Sequence, residues 1–261
     1  MTTLQMLLAV LSGSIVGLSL GLIGGGGSIL AVPLMIYVVG ISSPHLAIGS
    51  SAVAVAANAF INLFSHARDG NVKWRCSLVF AGFGIIGAAV GAQVGKAVDG
   101  KNLLSAFGVL MVIVAGLMLL PRRGGDNPNV RLDSGSAKKL VPALAGTGFG
   151  VGTLSGFFGI GGGFLIVPGL VSATAMPLLN AIGSSLVSVA AFGATAAVSY
   201  AVSGLVSWTV AILFILGGAL GGIAGVRLAR RLSASKRALS LVFSAIVATV
   251  GLYVIVKGTA G

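Results

Sequence analysis

The chain has 261 residues, of which 56% are hydrophobic and 8% are charged, whereas about a quarter of the residues in an ordinary soluble domain are charged. With a mean hydropathy of +1.10, it has too few charged side chains to cover a water-soluble globule. Its 16 basic residues outnumber 4 acidic residues, but they form short clusters between apolar runs, as in membrane-protein loops. This pattern predicts a protein that lies in a lipid bilayer and binds no nucleic acid, which would require a continuous basic patch.

Eight apolar runs approach the length of about 20 residues that a helix needs to cross a bilayer. They lie at residues 4–23, 46–65, 76–95, 102–120, 140–158, 182–202, 208–226 and 238–256. Two shorter runs, 28–41 and 163–176, each follow a glycine cluster, and these predict broken or re-entrant helices or continuations of the preceding segment. The expected fold is therefore an all-α, polytopic transmembrane bundle of eight to ten membrane segments.

The two halves of the chain repeat each other residue by residue. GLIGGGGSILAVPL (21–34) aligns with GFFGIGGGFLIVPG (156–169) at an offset of 135 residues, and AIGSSAVAV (47–55) aligns with AIGSSLVSV (181–189) at an offset of 134 residues. The same offset superimposes Trp74 on Trp208, both expected to anchor helix starts at the membrane interface. We predict a first transmembrane repeat at 1–120, a cytoplasmic linker at 121–139 and a second transmembrane repeat at 140–261.

The distribution of basic residues favours an inverted relation between these repeats. With five crossings per half, 13 of the 16 basic residues fall on one side of the membrane, whereas an even number of crossings would divide them 9 to 7. Since cytoplasmic loops collect Lys and Arg, the inverted arrangement is favoured. This prediction assumes that both short apolar runs cross the bundle.

The glycine clusters followed by Val-Pro, together with AIGSS downstream in each half, resemble the sulfite exporter TauE/SafE family of membrane transporters. The resemblance covers residues 10–256. It implies a multi-pass protein of the cytoplasmic (inner) membrane that exports a small sulfur-containing anion such as sulfite or an organosulfonate. The family is usually described with about eight spans, which leaves the status of the two short runs open.

The glycine clusters and the AIGSS motifs supply the candidate site. Glycine lets a ligand or another helix approach the backbone closely, so each cluster is interpreted either as a break lining a cavity or as a surface for close helix packing. The paired serines are expected at helix starts, where hydroxyls and free N–H groups of both halves would converge on an anion; plain N-capping is the alternative. The predicted substrate-binding residues are Gly25, Gly26, Gly27, Ser50, Ser51, Asn58, Gly161, Gly162, Gly163, Ser184 and Ser185.

Further polar residues leave more than one interpretation open. Asn58 and Asn62 on one helical face could line the cavity or bond another helix, and their counterparts in the repeat are Phe192 and Ala196. His45 and His66 lie near segment ends and are expected in loops or at the surface.

The acidic residues Asp69, Asp99, Asp126 and Asp133 all fall outside the predicted spans. This favours an anionic substrate over a metal cation, and no cofactor, metal site or enzymatic motif is predicted. The alternatives are a transporter or channel for another small anion and a non-transporting membrane scaffold. The sequence leaves the oligomeric state open, with a homo-oligomer among the alternatives.

Overall fold

The computed structural model describes residues 2–119, 136–159, 163–231 and 236–259, and within these ranges it contains helices and no strand. This confirms the predicted all-α bundle. The α-helices are α1 (Thr3–Ile23), α2 (Ala31–Pro33), α3 (Pro44–Arg68), α4 (Trp74–Ala97), α5 (Gly100–Leu119), α6 (Ala137–Phe158), α7 (Gly163–Thr174), α8 (Leu178–Val202), α9 (Trp208–Arg231) and α10 (Lys236–Thr259).

Six of the described helices are long and apolar enough to cross a membrane, by length and composition. They correspond to α1, α3, α4, α6, α8 and α9. Shorter apolar stretches occur in α5, α7 and α10 and at Gly27–Val38. Most of the predicted linker 121–139 lies outside the described residues, so the domain boundaries stay a prediction.

The first glycine cluster breaks the regular helix, as the sequence predicted. A 3-10 helix (Gly24–Leu30) follows α1 directly, α2 provides a single α-helical turn, and a π-helix (Leu34–Val38) completes the segment. In the second half, α6 ends at Phe158, the C-cap residue Gly159 has the left-handed conformation, and α7 has 12 residues. At about 1.5 Å per residue, α7 alone would reach roughly 18 Å, less than the roughly 30 Å of a bilayer core.

The two repeats interlock, because the first helix of each half packs on the fourth helix of the other half. The α1–α9 and α4–α6 contacts are the most extensive in the described part of the molecule. Glycines lie at the crossing points and bring the backbones into contact, in the manner of small-residue packing in membranes. Gly13, Gly17 and Gly21 face Phe214, Gly218 and Gly222, and their repeat equivalents Gly148, Gly152 and Gly156 face Phe80, Gly84 and Ala88.

The segment 24–43 carries the chain back across the bundle. Helices α1 and α3 both run parallel to α9, since Gly17 and Gly21 face Gly218 and Gly222, and Asn58 and Asn62 lie against the same two glycines in the same order. The chain must therefore return between them. Gly27 contacts Leu20 near the end of α1, whereas Gly40 lies beside Gln5 near its start.

In the second half, α6 and α8 both run parallel to α4, so the chain must also return between them: Gly148 and Gly152 face Phe80 and Gly84, and Lys73 and Lys96 bond to Ser184 and Ser199. Each half thus crosses the bundle five times.

Helices α3 and α8 form the centre of the bundle and run antiparallel. Buried residues make up 67% of the α3 span and 61% of the α8 span, but 28% of the α6 span. Gly49 packs on Tyr200, and Ala56 packs on Gly193, so residue numbers rise along one helix as they fall along the other. Because these helices are repeat equivalents, their opposite directions show an inverted repeat. The pseudo-two-fold axis passes close to Asn58 and Phe192.

Candidate functional site

The first serine of each AIGSS motif fastens a loop of the opposite repeat. Ser50 Oγ accepts a hydrogen bond of 2.8 Å from the backbone N–H of Ser207, immediately before α9. Its equivalent, Ser184 Oγ, accepts a bond of 2.9 Å from the N–H of Lys73, immediately before α4. Both serine side chains are fully buried. Each hydroxyl therefore satisfies an orphan donor at the start of a helix that belongs to the other half.

The preceding glycines allow these loops to dock. A Cβ on Gly49 would overlap the carbonyl oxygen of Leu205, and a Cβ on Gly183 would come within 2.7 Å of the carbonyl oxygen of Asn71. In each motif, the glycine thus lets the facing loop approach closely, and the serine binds that loop through a hydrogen bond. The sequence alternative of plain N-capping is not what these serines do, because each accepts a hydrogen bond from the N–H that precedes a helix of the other repeat.

The serines do not open their helices, contrary to the sequence expectation. Helix α3 begins at Pro44 and is capped by Ser43, whose Oγ accepts from the N–H of Leu46 at 3.5 Å. Ser50 and Ser51 therefore lie in the second turn, where N–H groups bond within the helix. The expected anion site built on free first-turn N–H groups is absent there, because Pro44 moves the helix start upstream of the motif.

The second serine of the first motif brings the two predicted motifs together across the repeats. Ser51 Oγ donates to the carbonyl oxygen of Ile48 at 2.8 Å and lies 3.5 Å from the carbonyl oxygen of Gly159. Gly159 has φ +62°, a left-handed conformation that favours glycine, and a Cβ there would overlap Ile48. The equivalent Ser185 Oγ donates to the carbonyl oxygen of Ile182 at 2.7 Å.

The predicted glycines are distributed over these breaks. Gly25 and Gly26 lie in the 3-10 helix Gly24–Leu30, and Gly27 is buried against Ser19 and Leu20. Gly163 is buried at the first residue of α7. Gly161 and Gly162 lie outside the described residues.

The two serine pairs lie at opposite ends of the bundle, so the expectation that they converge on one cavity is wrong. In the antiparallel register of α3 and α8, Ser185 lies level with Phe64, about 13 residues or roughly 20 Å along α3 from Ser51. The inverted repeat causes this separation, since it carries equivalent residues to opposite faces. All four serines are nevertheless buried in the protein.

Asn58 lies between these ends, near the pseudo-two-fold axis. Its side chain is fully buried against Gly218, and neither its Nδ2 nor its Oδ1 atom has a hydrogen-bond partner in the described part of the chain. Leaving a buried polar group unsatisfied costs on the order of 1–3 kcal/mol. Asn62, one turn later, differs because its Nδ2 atom donates to the carbonyl oxygen of Asn58 at 2.9 Å. Asn58 is therefore the unsatisfied amide of the pair.

In the other repeat, the counterpart of Asn58 is Phe192, whose aromatic ring packs in the core. The Phe192 ring is fully buried and stacks on Phe80 with a centroid distance of 6.2 Å. A Cβ on Gly84 would overlap this ring, just as a Cβ on Gly218 would overlap the Asn58 amide. The same backbone crossing thus holds an amide in one half and an aromatic ring in the other.

Other buried polar residues were missed by the sequence analysis. His66 is 3% exposed, so its expected placement in a loop or at the surface was wrong; it continues the face of Asn58 and Asn62 at helical spacing. Ser155 and Ser188 are fully buried, with hydroxyls that have no partner among the described residues. Their repeat counterparts are Leu20 and Ala54. An alignment of the two repeats could therefore have identified both serines, as polar residues at positions that are apolar in the other half.

The charged groups near the site are few. Asp69 and Asp99 are exposed at helix ends, and no acidic residue lies within a described helix. No three His, Cys, Asp or Glu side chains come together in a metal-binding group over the ranges that the structure describes. The buried centre therefore offers amide and hydroxyl groups, and no carboxylate within the described helices, to a ligand.

Comparison with known proteins assigns this architecture to a family. The family model for the sulfite exporter TauE/SafE matches residues 9–254. A probable membrane transporter protein of Xylella fastidiosa strain Temecula1 is 49% identical over 255 residues, covering 98% of this chain and 97% of the relative.

More distant relatives carry similar names. The probable membrane transporter protein YunE of Bacillus subtilis is 26% identical, with 88% of this chain and 90% of the relative covered. A probable membrane transporter protein of Haemophilus influenzae is 28% identical, with coverage of 76% and 74%. No solved structure matches the chain. The chain belongs to the sulfite exporter TauE/SafE family, whose relatives are named as membrane transporters, and it is a multi-pass membrane protein.

Proposed function

We propose that the protein is a secondary transporter that exports a small sulfur-containing anion, such as sulfite or an organosulfonate, across the cytoplasmic membrane. The observation that carries this proposal is the inverted repeat, with a broken helix and a buried serine pair towards each end of the bundle. Such symmetry supplies two equivalent half-structures that face opposite compartments. The family assignment and the polar centre, which has no carboxylate within the described helices, support an anionic substrate.

Transport would proceed by alternating access between the two ends. The proposed site divides into a half-site around Ser51 and Gly159 and a symmetry-equivalent half-site around Ser185. The fastened loops 203–207 and 69–73 would open in turn, because Ser50 and Ser184 lock them from opposite repeats. Asn58 would meet the substrate midway.

Flux in reconstituted liposomes tests this function. We expect saturable movement of sulfite or sulfoacetate that is absent from protein-free liposomes, and saturation at a low rate distinguishes a carrier from a channel. Folded protein without saturable flux for either anion would contradict the substrate class. Movement of other small anions alone would support the alternative of a different anion transporter.

Single substitutions at the half-sites test the site. Ser51→Ala and Ser185→Ala should each lower flux several-fold, because each removes a buried hydroxyl from one of the two equivalent half-sites. Ser105→Ala is the matched control, since its hydroxyl bonds the preceding turn of α5 at an exposed position. Equal flux in all three variants would contradict a role of Ser51 and Ser185 in substrate binding.

A further inference from the structure

Asn58 is a buried amide whose donor and acceptor both lack a partner in the described part of the chain, where the hydroxyls of Ser155, Ser188 and Tyr200 are also buried without one. Its neighbour Asn62 is also buried, yet the Asn62 amide finds a carbonyl one turn back. Asn58 directs its side chain away from its own helix, onto the backbone of Gly218 on α9. A donor and an acceptor are thus both left without a protein partner at one buried point.

Asn58 lies midway between the two ends of the bundle. The contacts of Gly49 with Tyr200 and of Ala56 with Gly193 fix the antiparallel register of α3 and α8. The centre of this register falls beside Asn58. A ligand there is equally far from the two fastened loops, as alternating access between inverted repeats requires.

The other half cannot offer an equivalent point. Phe192 occupies the matching position with an apolar ring packed on Phe80 and Gly84. The chain therefore has one amide at the axis and not a symmetric pair, so one ligand per chain would be oriented by one repeat.

The amide also defines the chemistry of its ligand. Nδ2 donates a hydrogen bond and Oδ1 accepts one, so a complementary ligand carries an acceptor oxygen and an O–H or N–H donor. Helices α1, α3 and α9 around it carry no acidic residue, Arg68 and Arg227 lie towards helix ends, and the buried imidazole of His66 lies about two turns along α3 from Asn58. A neutral site favours a singly charged ligand, since desolvating a doubly charged one is more costly.

Resting on the proposed function, we infer that Asn58 is the specificity-determining residue and selects a small monoanion that also donates a hydrogen bond, hydrogen sulfite rather than the sulfite dianion. The amide N–H bonds an oxygen of the anion, and the amide oxygen accepts its O–H. A simple alkanesulfonate of the same charge satisfies only the first of these bonds.

The test compares transport of hydrogen sulfite and methanesulfonate at one mildly acidic pH, where hydrogen sulfite predominates. Wild-type protein should transport hydrogen sulfite with a kcat/KM roughly tenfold higher, the effect of one hydrogen bond. Asn58→Leu should abolish this preference while leaving the melting temperature in detergent unchanged or raised, because it removes an unsatisfied buried group. Asn62→Ala should keep the preference.

Each result has a distinct meaning. Asn58→Leu protein that retains the preference, or that loses stability together with flux, would overturn the role of Asn58. Wild-type protein that transports both anions equally would overturn the selection but leave the transporter proposal in place. Wild-type protein that transports neither anion would overturn this inference, and the absence of sulfoacetate flux as well would overturn the proposed function.

Discussion

The inner face of α3 and the matching face of α8 occupy equivalent positions in the two repeats but differ in chemistry. All of the residues concerned are buried. Asn58, Asn62 and His66 on α3 correspond to Phe192, Ala196 and Tyr200 on α8. The polar face lies against α9, whereas the aromatic face packs against α4. The repeat therefore conserves the backbone crossing while assigning polar recognition to one half and packing to the other.

Phe192→Ala should have the largest effect on stability. The substitution empties a fully buried position and should lower the free energy of unfolding by about 3–5 kcal/mol. Chemical unfolding in mixed micelles measures this loss. Phe60→Ala is the control, because the Phe60 ring is 69% exposed on the bundle surface. A similar loss in both variants would contradict the packing role of the α8 face.

The shared backbone framework is tested by equivalent glycines. Gly17→Ala and Gly152→Ala each place a Cβ against a backbone carbonyl of the facing helix, at Gly218 and Gly84. Because backbone cannot move as a side chain can, each variant should lose about 1–3 kcal/mol, by similar amounts.

Gly150, on the same helix as Gly152, provides the control. Gly150→Ala meets no atom within 4 Å and should stabilise α6 by up to about 1 kcal/mol through helix propensity. Clearly unequal losses at Gly17 and Gly152 would show that the interlock itself is asymmetric.

Removal of the loop-fastening hydroxyls should have a smaller and symmetric effect. Ser50→Ala and Ser184→Ala each leave one N–H at a helix start without its acceptor, which should cost about 1 kcal/mol. Thermal unfolding in detergent measures both. Ser172→Ala is the control, since Ser172 is exposed and bonds within its own helix. A loss in only one variant would indicate that one loop is fastened by other contacts.

The sequence predicted the helices and the inverted repeat well because both depend on local patterns. Apolar runs such as 208–226 and 46–65 recur as α9 and α3, with ends displaced by a few residues. The distribution of basic residues predicted the inversion correctly, because the side on which each loop lies depends only on how many times each half crosses the bundle. The contacts of Gly27 and Gly40 then showed that the short first segment does cross.

The arrangement of the site could not be predicted in the same way. Alignment showed that Ser51 and Ser185 are equivalent, but equivalence under an inverted repeat means opposite depth, and depth is a three-dimensional property. The pairing of Ser51 with Gly159 spans 108 residues and crosses between the halves. Even so, the exchange of Asn58 for Phe192 between repeats already marked the asymmetric position in the sequence.

A lysine at the other end of the aromatic half carries the smallest predicted effect. Lys96 Nζ donates to the carbonyl oxygen of Ser199 at 3.2 Å and to Ser203 Oγ at 3.0 Å, so it links the end of α4 to the end of α8. A cation near helix C-terminal carbonyls stabilises by about 0.3–1 kcal/mol and is screened by salt. Lys96→Met keeps the apolar stem and should lose this amount at low ionic strength, but little at high ionic strength. Lys139→Met, at an exposed position of α6, is the control. A loss of stability that does not depend on salt would contradict the role of the charge. It would mean that Lys96 stabilises the α4–α8 junction through packing of its aliphatic stem, in the half where Phe192 provides the buried packing.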